Sequence, residues 1–204
     1  TFYSNHFIEL DSFKSNIWEL SAQAEGAFLT IYREGHRYDI KRAKGYKNIL
    51  FQGYAFVGAG AFHFNPKGYY RGKWYKLQEL GTEGQGLPGE PEKYKRVGFC
   101  IPIGAGFRYG LNRRMTIGLE YGIRKTFTDY IDDVSGVYYD KETIREYNGD
   151  AAAYFADPSS GLLPSWTATG TDRGHPNYKD SYMFMFVTAT YRLSGQHKRT
   201  NAKF

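Results

Sequence analysis

Hydrophobic and polar positions alternate with a period of two along much of the chain, most clearly from Val97 to Thr126. In the arm VGFCIPIGAGFRYGL, one face carries Phe99, Ile101, Ile103, Ala105, Phe107, Tyr109 and Leu111. The other carries Gly98, Cys100, Pro102, Gly104, Gly106, Arg108 and Gly110. After Asn112-Arg113-Arg114 the pattern resumes, with Met115, Ile117, Leu119, Tyr121 and Ile123 set against Thr116, Gly118, Glu120, Gly122, Arg124 and Thr126. Period two is the signature of a strand, so the stretch predicts a hairpin.

The apolar face is bulky and unbroken, while the opposite face is glycine with isolated charges. A soluble sheet turns its bulky residues inward and gives water a mixture of polar side chains. Here the small face suits a cramped interior and the bulky face suits lipid, which is the pattern of a transmembrane β-barrel. Each arm exceeds the roughly 9–11 residues that a tilted strand needs to cross a bilayer. The competing reading is a soluble sandwich or lipocalin-like binding barrel with the same side chains in its core.

Four further strands are expected: Asn5–Leu10, Ser15–Ile31, Ile49–Phe64 and Tyr182–Leu193. In the second of these, Trp18, Leu20, Ala22, Ala24 and Phe28 oppose Glu19, Ser21, Gln23 and Glu25. Carboxylates are excluded from lipid, so that polar face must meet water or a polar interior. The faces of Ile49–Phe64 are ambiguous, because Tyr54, Phe56 and Phe62 oppose Phe51, Val57 and His63. The connections sort by length: 65–96 reads as a long polar loop, 111–114 as a short turn, and 129–181 as a long acidic loop with a short helix within Lys141–Phe155. Long outer loops and short periplasmic turns are a barrel habit. Six strands fall short of the eight of a small membrane barrel, and Leu10 runs into Asp11-Ser12 without a turn signal. A hairpin is therefore expected to be missing from the sequence between about Leu10 and Asp11, with both termini in the periplasm.

Composition agrees. Among 204 residues, 19 Tyr and 15 Phe are enough for aromatic girdles at both interfaces. Mean hydropathy is −0.59 and no long apolar run exists, so no spanning helix is expected. The net charge of +6 is dispersed among tyrosines and glycines, and no nucleic-acid motif appears, which argues against a nucleic-acid partner. The single cysteine, Cys100, reads as a small packed residue.

Four stretches are similar to the PorG family of the Bacteroidetes type IX secretion system: FKSNIWELSAQAEGAF, YAFVGAGAFHFNPK, GKWYKLQELGTEGQG and IPIGAGFRYGLNRRMTIGLEYGIRKTFTDYIDDVS. The resemblance covers residues 13–134 and, loosely, the last strand. It implies an eight-stranded outer-membrane barrel, non-catalytic, associated with a periplasmic ring of a PorK-like lipoprotein and a PorN-like protein that supports secretion of gliding and virulence proteins.

Candidate chemistry is sparse. His6, His36, His63, His175 and His197 show no nucleophile or base partner by spacing. A lipid-modifying enzyme is therefore the second alternative, and no catalytic, cofactor or metal site is expected. Gly58/Gly60 and Gly104/Gly106 sit mid-strand with no helix following, so they are not nucleotide loops. Glu19, Glu25, Arg108, Glu120 and Arg124 share inward parity and are expected to form a lumen charge network, since buried charges must pair. Phe99, Ile101, Ile103, Phe107, Ile117, Leu119, Tyr121 and Ile123 are expected to face outer-membrane lipid. Basic residues gather at the periplasmic end. Arg33, Arg37, Lys41, Arg42 and Lys44, with Tyr38 among them, Arg113 and Arg114 in the short turn, and the tail 194–204 are the expected partner contacts.

Overall fold

A computed structural model describes residues 13–35, 46–112, 114–159, 165–175 and 177–193. In chain order the elements are β1 (Phe13–Ser15), β2 (Trp18–Gly35), β3 (Tyr46–His63), β4 (Pro66–Tyr70), β5 (Lys73–Lys76), α1 (Leu77–Leu80), β6 (Val97–Gly110), β7 (Met115–Thr126), α2 (Lys141–Asn148), α3 (Asp150–Ala156) and β8 (Ser181–Tyr191). The fold is mostly β, with antiparallel sheets.

The long strands form one five-stranded sheet in the order β2-β3-β6-β7-β8. Neighbours in this sheet are also successive long strands in the chain, so it is a meander, and β2 and β8 are its edges. No closed ring forms among the described residues. The strand candidate Asn5–Leu10 and the junction at Leu10–Asp11 lie outside them.

Three expectations about the strands and connections are corrected. The segment expected as a single strand from Ser15 breaks at Asn16-Ile17. Phe13–Ser15 pairs instead with β4, with Ser15 opposite Pro66, and Ser15 Oγ accepts from the Asn65 amide at 3.3 Å. Residues 65–96 are not a plain loop either. Lys67 to Lys76 fold as a hairpin that completes a three-stranded sheet, β1-β4-β5. Its lysines and glycines masked the cross-strand aromatic pairs that hold it, Tyr69–Trp74 at 5.3 Å and Tyr70–Tyr75 at 6.4 Å between ring centres. The acidic connection carries two short helices rather than one. Asp140 caps α2 by accepting from the Thr143 amide at 2.8 Å and its hydroxyl at 2.5 Å, and these bonds hold the Asp140 carboxyl below the usual range.

The chain resolves into two compact units. The first takes in Ala59–Ile101, Lys125–Ser181 and the chain up to Ser21; the second takes in Ala22–Gly58, Pro102–Arg124 and the chain from Tyr182. The first unit has a small apolar core of Leu87, Ile144, Ala152 and Ala156, with Leu80 and Tyr139 against it. Beside it sits a buried polar cluster around Arg173. Its Nη1 donates to Glu83 Oε1 at 3.0 Å, Thr82 Oγ1 at 3.0 Å and the Asp133 carbonyl at 2.9 Å, and its Nη2 donates to the Phe155 carbonyl at 2.9 Å. Glu83 also accepts from the Ser135 and Gly136 amides, so the carboxylate is saturated. Asp133 accepts from Thr82 and Tyr94, both at 2.6 Å. Burial pushes its carboxyl up to about 6, and pushes the Tyr94 hydroxyl up as well. One arginine thus ties residues 82–83, 133 and 155 together.

Candidate functional site

The second unit contains the part of the long-stranded sheet in which the two faces differ most. On the bulky side, Ile103, Phe107, Ile117 and Tyr121 are exposed, and Leu119 and Ile123 are half-buried. Phe28, Val57, Met183, Met185 and Val187 are exposed on the same sheet, Val187 to 83%. Phe51 stacks on Phe107 at 6.1 Å, and the Tyr121 hydroxyl donates to Met183 Sδ at 3.4 Å. In the first unit, Phe99, Ile101, Trp18 and Leu20 are exposed too, the last two at 76% and 84%. Isolated apolar side chains on a surface are ordinary, but a field of large ones over consecutive strands marks a surface that meets something apolar.

The opposite face explains the glycines. Strand β3 sends Tyr54 and Phe56 to this side, and both are buried. The Phe56 ring lies where a side chain at Gly104 or Gly122 would begin: a Cβ there would come within 2.3 or 2.9 Å of it. Tyr54 lies likewise over Gly106, at 2.7 Å. Glycine on β6 and β7 is therefore the complement of the aromatics on β3, because nothing larger leaves room for flat rings. The ambiguous faces of β3 resolve accordingly, with Phe51 and Val57 on the bulky side.

Of the five charges expected to converge, the structure brings two together directly. Arg108 Nη1 and Nη2 donate to Glu25 Oε1 and Oε2, both at 2.6 Å, a bidentate pair. The Arg108 guanidinium also lies 4.0 Å over the Tyr54 ring. Among the described residues, the partner of Glu120 is a tyrosine rather than an arginine. Its Oε2 accepts from the Tyr54 hydroxyl at 2.8 Å, so Tyr54 links the carboxylate to the Arg108–Glu25 pair. Arg124 is buried with its guanidinium 5.0 Å over the Phe184 ring. Glu19 is half-buried in the first unit. The expected network is thus a relay, Glu25–Arg108–Tyr54–Glu120, with Arg124 set on an aromatic ring. Tyr54 was missed because its parity on β3 was ambiguous; the signal available was the glycine pair opposite it.

The relay borders a polar cavity of about 310 Å³ that Thr116, Thr188 and Arg192 also line. Cys100 is buried. Among the described residues, no group of three or more His, Cys, Asp or Glu side chains forms a metal-binding set. Among the described residues, no helix is long and apolar enough to cross a membrane. Of the expected partner contacts, Arg33 falls in β2, and Arg114 is exposed and donates to the Tyr191 hydroxyl at 3.3 Å. Arg37, Tyr38, Lys41, Arg42, Lys44, Arg113 and the tail 194–204 lie outside the described residues.

Comparison with family models, with curated proteins and with solved structures finds no match.

Proposed function

We propose that the chain is a non-catalytic outer-membrane β-barrel that anchors a periplasmic assembly to the membrane. One observation carries this reading: successive long strands expose a continuous bulky face and turn glycine, buried aromatics and paired charges to the other side. In water that arrangement would leave a large apolar area unsatisfied; in a bilayer it is the stable one. Sheet edges are not tolerated in hydrocarbon, so the reading requires strands beyond β2 and β8 to close a barrel of eight. With both termini in the periplasm, the folded connections 65–96 and 129–181 face outward and the short turn at Arg114 faces inward.

The PorG resemblance extends the proposal to a docking role, in which the basic end meets a ring of PorK-like and PorN-like proteins. Charge would govern encounter and register there, and apolar groups such as Tyr38 would add affinity. Anionic lipid attracts the same cations with about 1 kcal/mol each, so lipid contact is the competing account. The test has two parts. Fractionation with and without detergent, with heat-modifiable gel mobility as the mark of a folded barrel, addresses the membrane. Recovery in the aqueous fraction without detergent would return the chain to a soluble barrel. Charge reversal of Arg37, Lys41 and Arg42 together addresses docking. A folded variant that still co-purifies the ring proteins in full amount would remove this surface from the interface.

A further inference from the structure

We propose that the first unit carries a binding cleft for a sugar bearing one acidic group, a carboxylate or a phosphate, with Arg71 as its anion-binding residue. The cleft has a volume of about 350 Å³ and is lined by Tyr70, Arg71, Lys141, Arg145, Asp150 and Tyr154. That is the small end of the range for ligand sites, enough for one or two monosaccharide units.

Three observations lead to Arg71. The first is backbone. Arg71 and Gly72 form the two-residue loop between β4 and β5, with Tyr70 opposite Lys73, and their φ angles are +47° and +85°. A hairpin turn with both central residues left-handed favours Asn-Gly, and an arginine at its first position is strained. Only Arg71 and Asp133 among the described non-glycine residues have positive φ. The second is charge. Lys141 is neutralised by Asp157, whose carboxylate lies at 3.7 Å and whose carbonyl accepts at 3.1 Å. Arg145 is neutralised by Glu142 and by Asp150 at 3.4 Å. Among the described residues Arg71 has no ion-pair partner, and its guanidinium lies 5.1 Å from the Tyr70 ring. Arg71 is thus the cation lining the cleft that no described carboxylate pairs, and its guanidinium is well shaped for bidentate binding of a carboxylate or phosphate.

The third observation is the built wall. Tyr70 and Tyr154 lie against each other with ring centres 4.3 Å apart and planes tilted by 31°. Their position depends on Gly68, where a Cβ would come within 2.3 Å of the Phe155 ring; without it, α3 lies close on β4. Phe155 is in turn fixed through its carbonyl by Arg173. Closed on each other, the two rings leave no slot for a nucleobase. Their edges and hydroxyls, with the Asp150 carboxylate, supply instead the apolar surface and the hydrogen-bonding groups that a sugar's C–H face and hydroxyls require. This inference stands on the first unit alone and does not depend on the membrane reading.

The test is titration of the folded full chain in detergent micelles with glucuronate and with glucose 1-phosphate, followed by saturation-transfer NMR and calorimetry. Glucose, inorganic phosphate and N-acetylglutamate are the comparators. Saturable binding of the two acidic sugars, at least tenfold tighter than any comparator, is expected. Arg71→Gly should weaken it tenfold or more while the melting temperature holds or rises, because glycine suits the turn. Arg71→Lys should retain part of the affinity. A glycolipid ending in a uronic acid, dispersed in the same micelles, separates the sources: competition with free glucuronate gives a membrane-linked glycan as a ligand, and its absence places the ligand in solution. No saturable binding, equal binding of inorganic phosphate or N-acetylglutamate, or wild-type binding by Arg71→Gly would each overturn the proposal.

Discussion

The Arg173–Glu83 pair offers a prediction in which the order of two effects matters more than either size. The side chains are 8% and 5% exposed, so the figures for buried ion pairs apply, about 3–5 kcal/mol for removing one partner. The two removals differ. Arg173→Ala leaves Glu83 with the Ser135 and Gly136 amides and the Gln85 side-chain amide, three donors that continue to solvate the carboxylate. That places it near the lower figure, about 3 kcal/mol. Glu83→Ala leaves a buried guanidinium with neutral acceptors only, and it strips both backbone amides of their acceptor. Orphaned buried donors cost about 1–3 kcal/mol each before relaxation, so this change belongs at about 5 kcal/mol or above. The double variant should lose less than the sum. The three tryptophans, Trp18, Trp74 and Trp166, all lie in the first unit, so urea unfolding followed by tryptophan emission reports on it specifically. Arg173→Ala proving the more damaging of the two, or both costing under about 1 kcal/mol, would refute the view that Glu83 is the better solvated partner.

Ile103→Arg, at a half-exposed position on the bulky face, should lower folding stability in lipid vesicles by about 2–4 kcal/mol if that position lies near the bilayer midplane; folding as complete as wild type would count against lipid contact. Gly104→Ala puts a methyl group 2.3 Å from both the Phe56 ring and the Tyr121 carbonyl, and the backbone oxygen has little freedom to yield. A loss of about 1–3 kcal/mol is expected in the same vesicle assay, with Gly26→Ala, which meets nothing within 4 Å, as the neutral control. Asp133 titrates at about 6 in the folded chain against an ordinary value of 3.8, so between those values the folded state holds more protons than the unfolded one. Stability should therefore fall as pH rises through this window, by on the order of 3 kcal/mol in full, and Asp133→Asn should flatten the slope in urea titrations; an unchanged slope would assign it elsewhere. Asp180, which burial also pushes up to about 6, contributes with the same sign and bounds how flat the variant can become.

What the sequence determined by itself was the set of long strands and the division of each into two unlike faces. Period two survives in a single chain because each residue's side is set by its own backbone, whatever its neighbours do. The hairpin Val97–Thr126 was legible to within a residue for this reason, and so was the company of Arg108, Glu120 and Arg124 on one face. Tertiary structure alone decided which partner each charge takes. Arg108 meets Glu25 across 83 residues of chain and Glu120 meets Tyr54 across 66, and parity carries no information about register between strands. It also decided why the glycines are there, since a missing side chain has meaning only once the ring above it is known. The polar connections were the least legible. Their hairpin is held by tyrosine and tryptophan pairs among lysines, and their centre is an arginine that meets a glutamate 90 residues away. Such long-range polar closure leaves no period in the sequence, because its geometry comes from carbonyls and amides that every residue possesses.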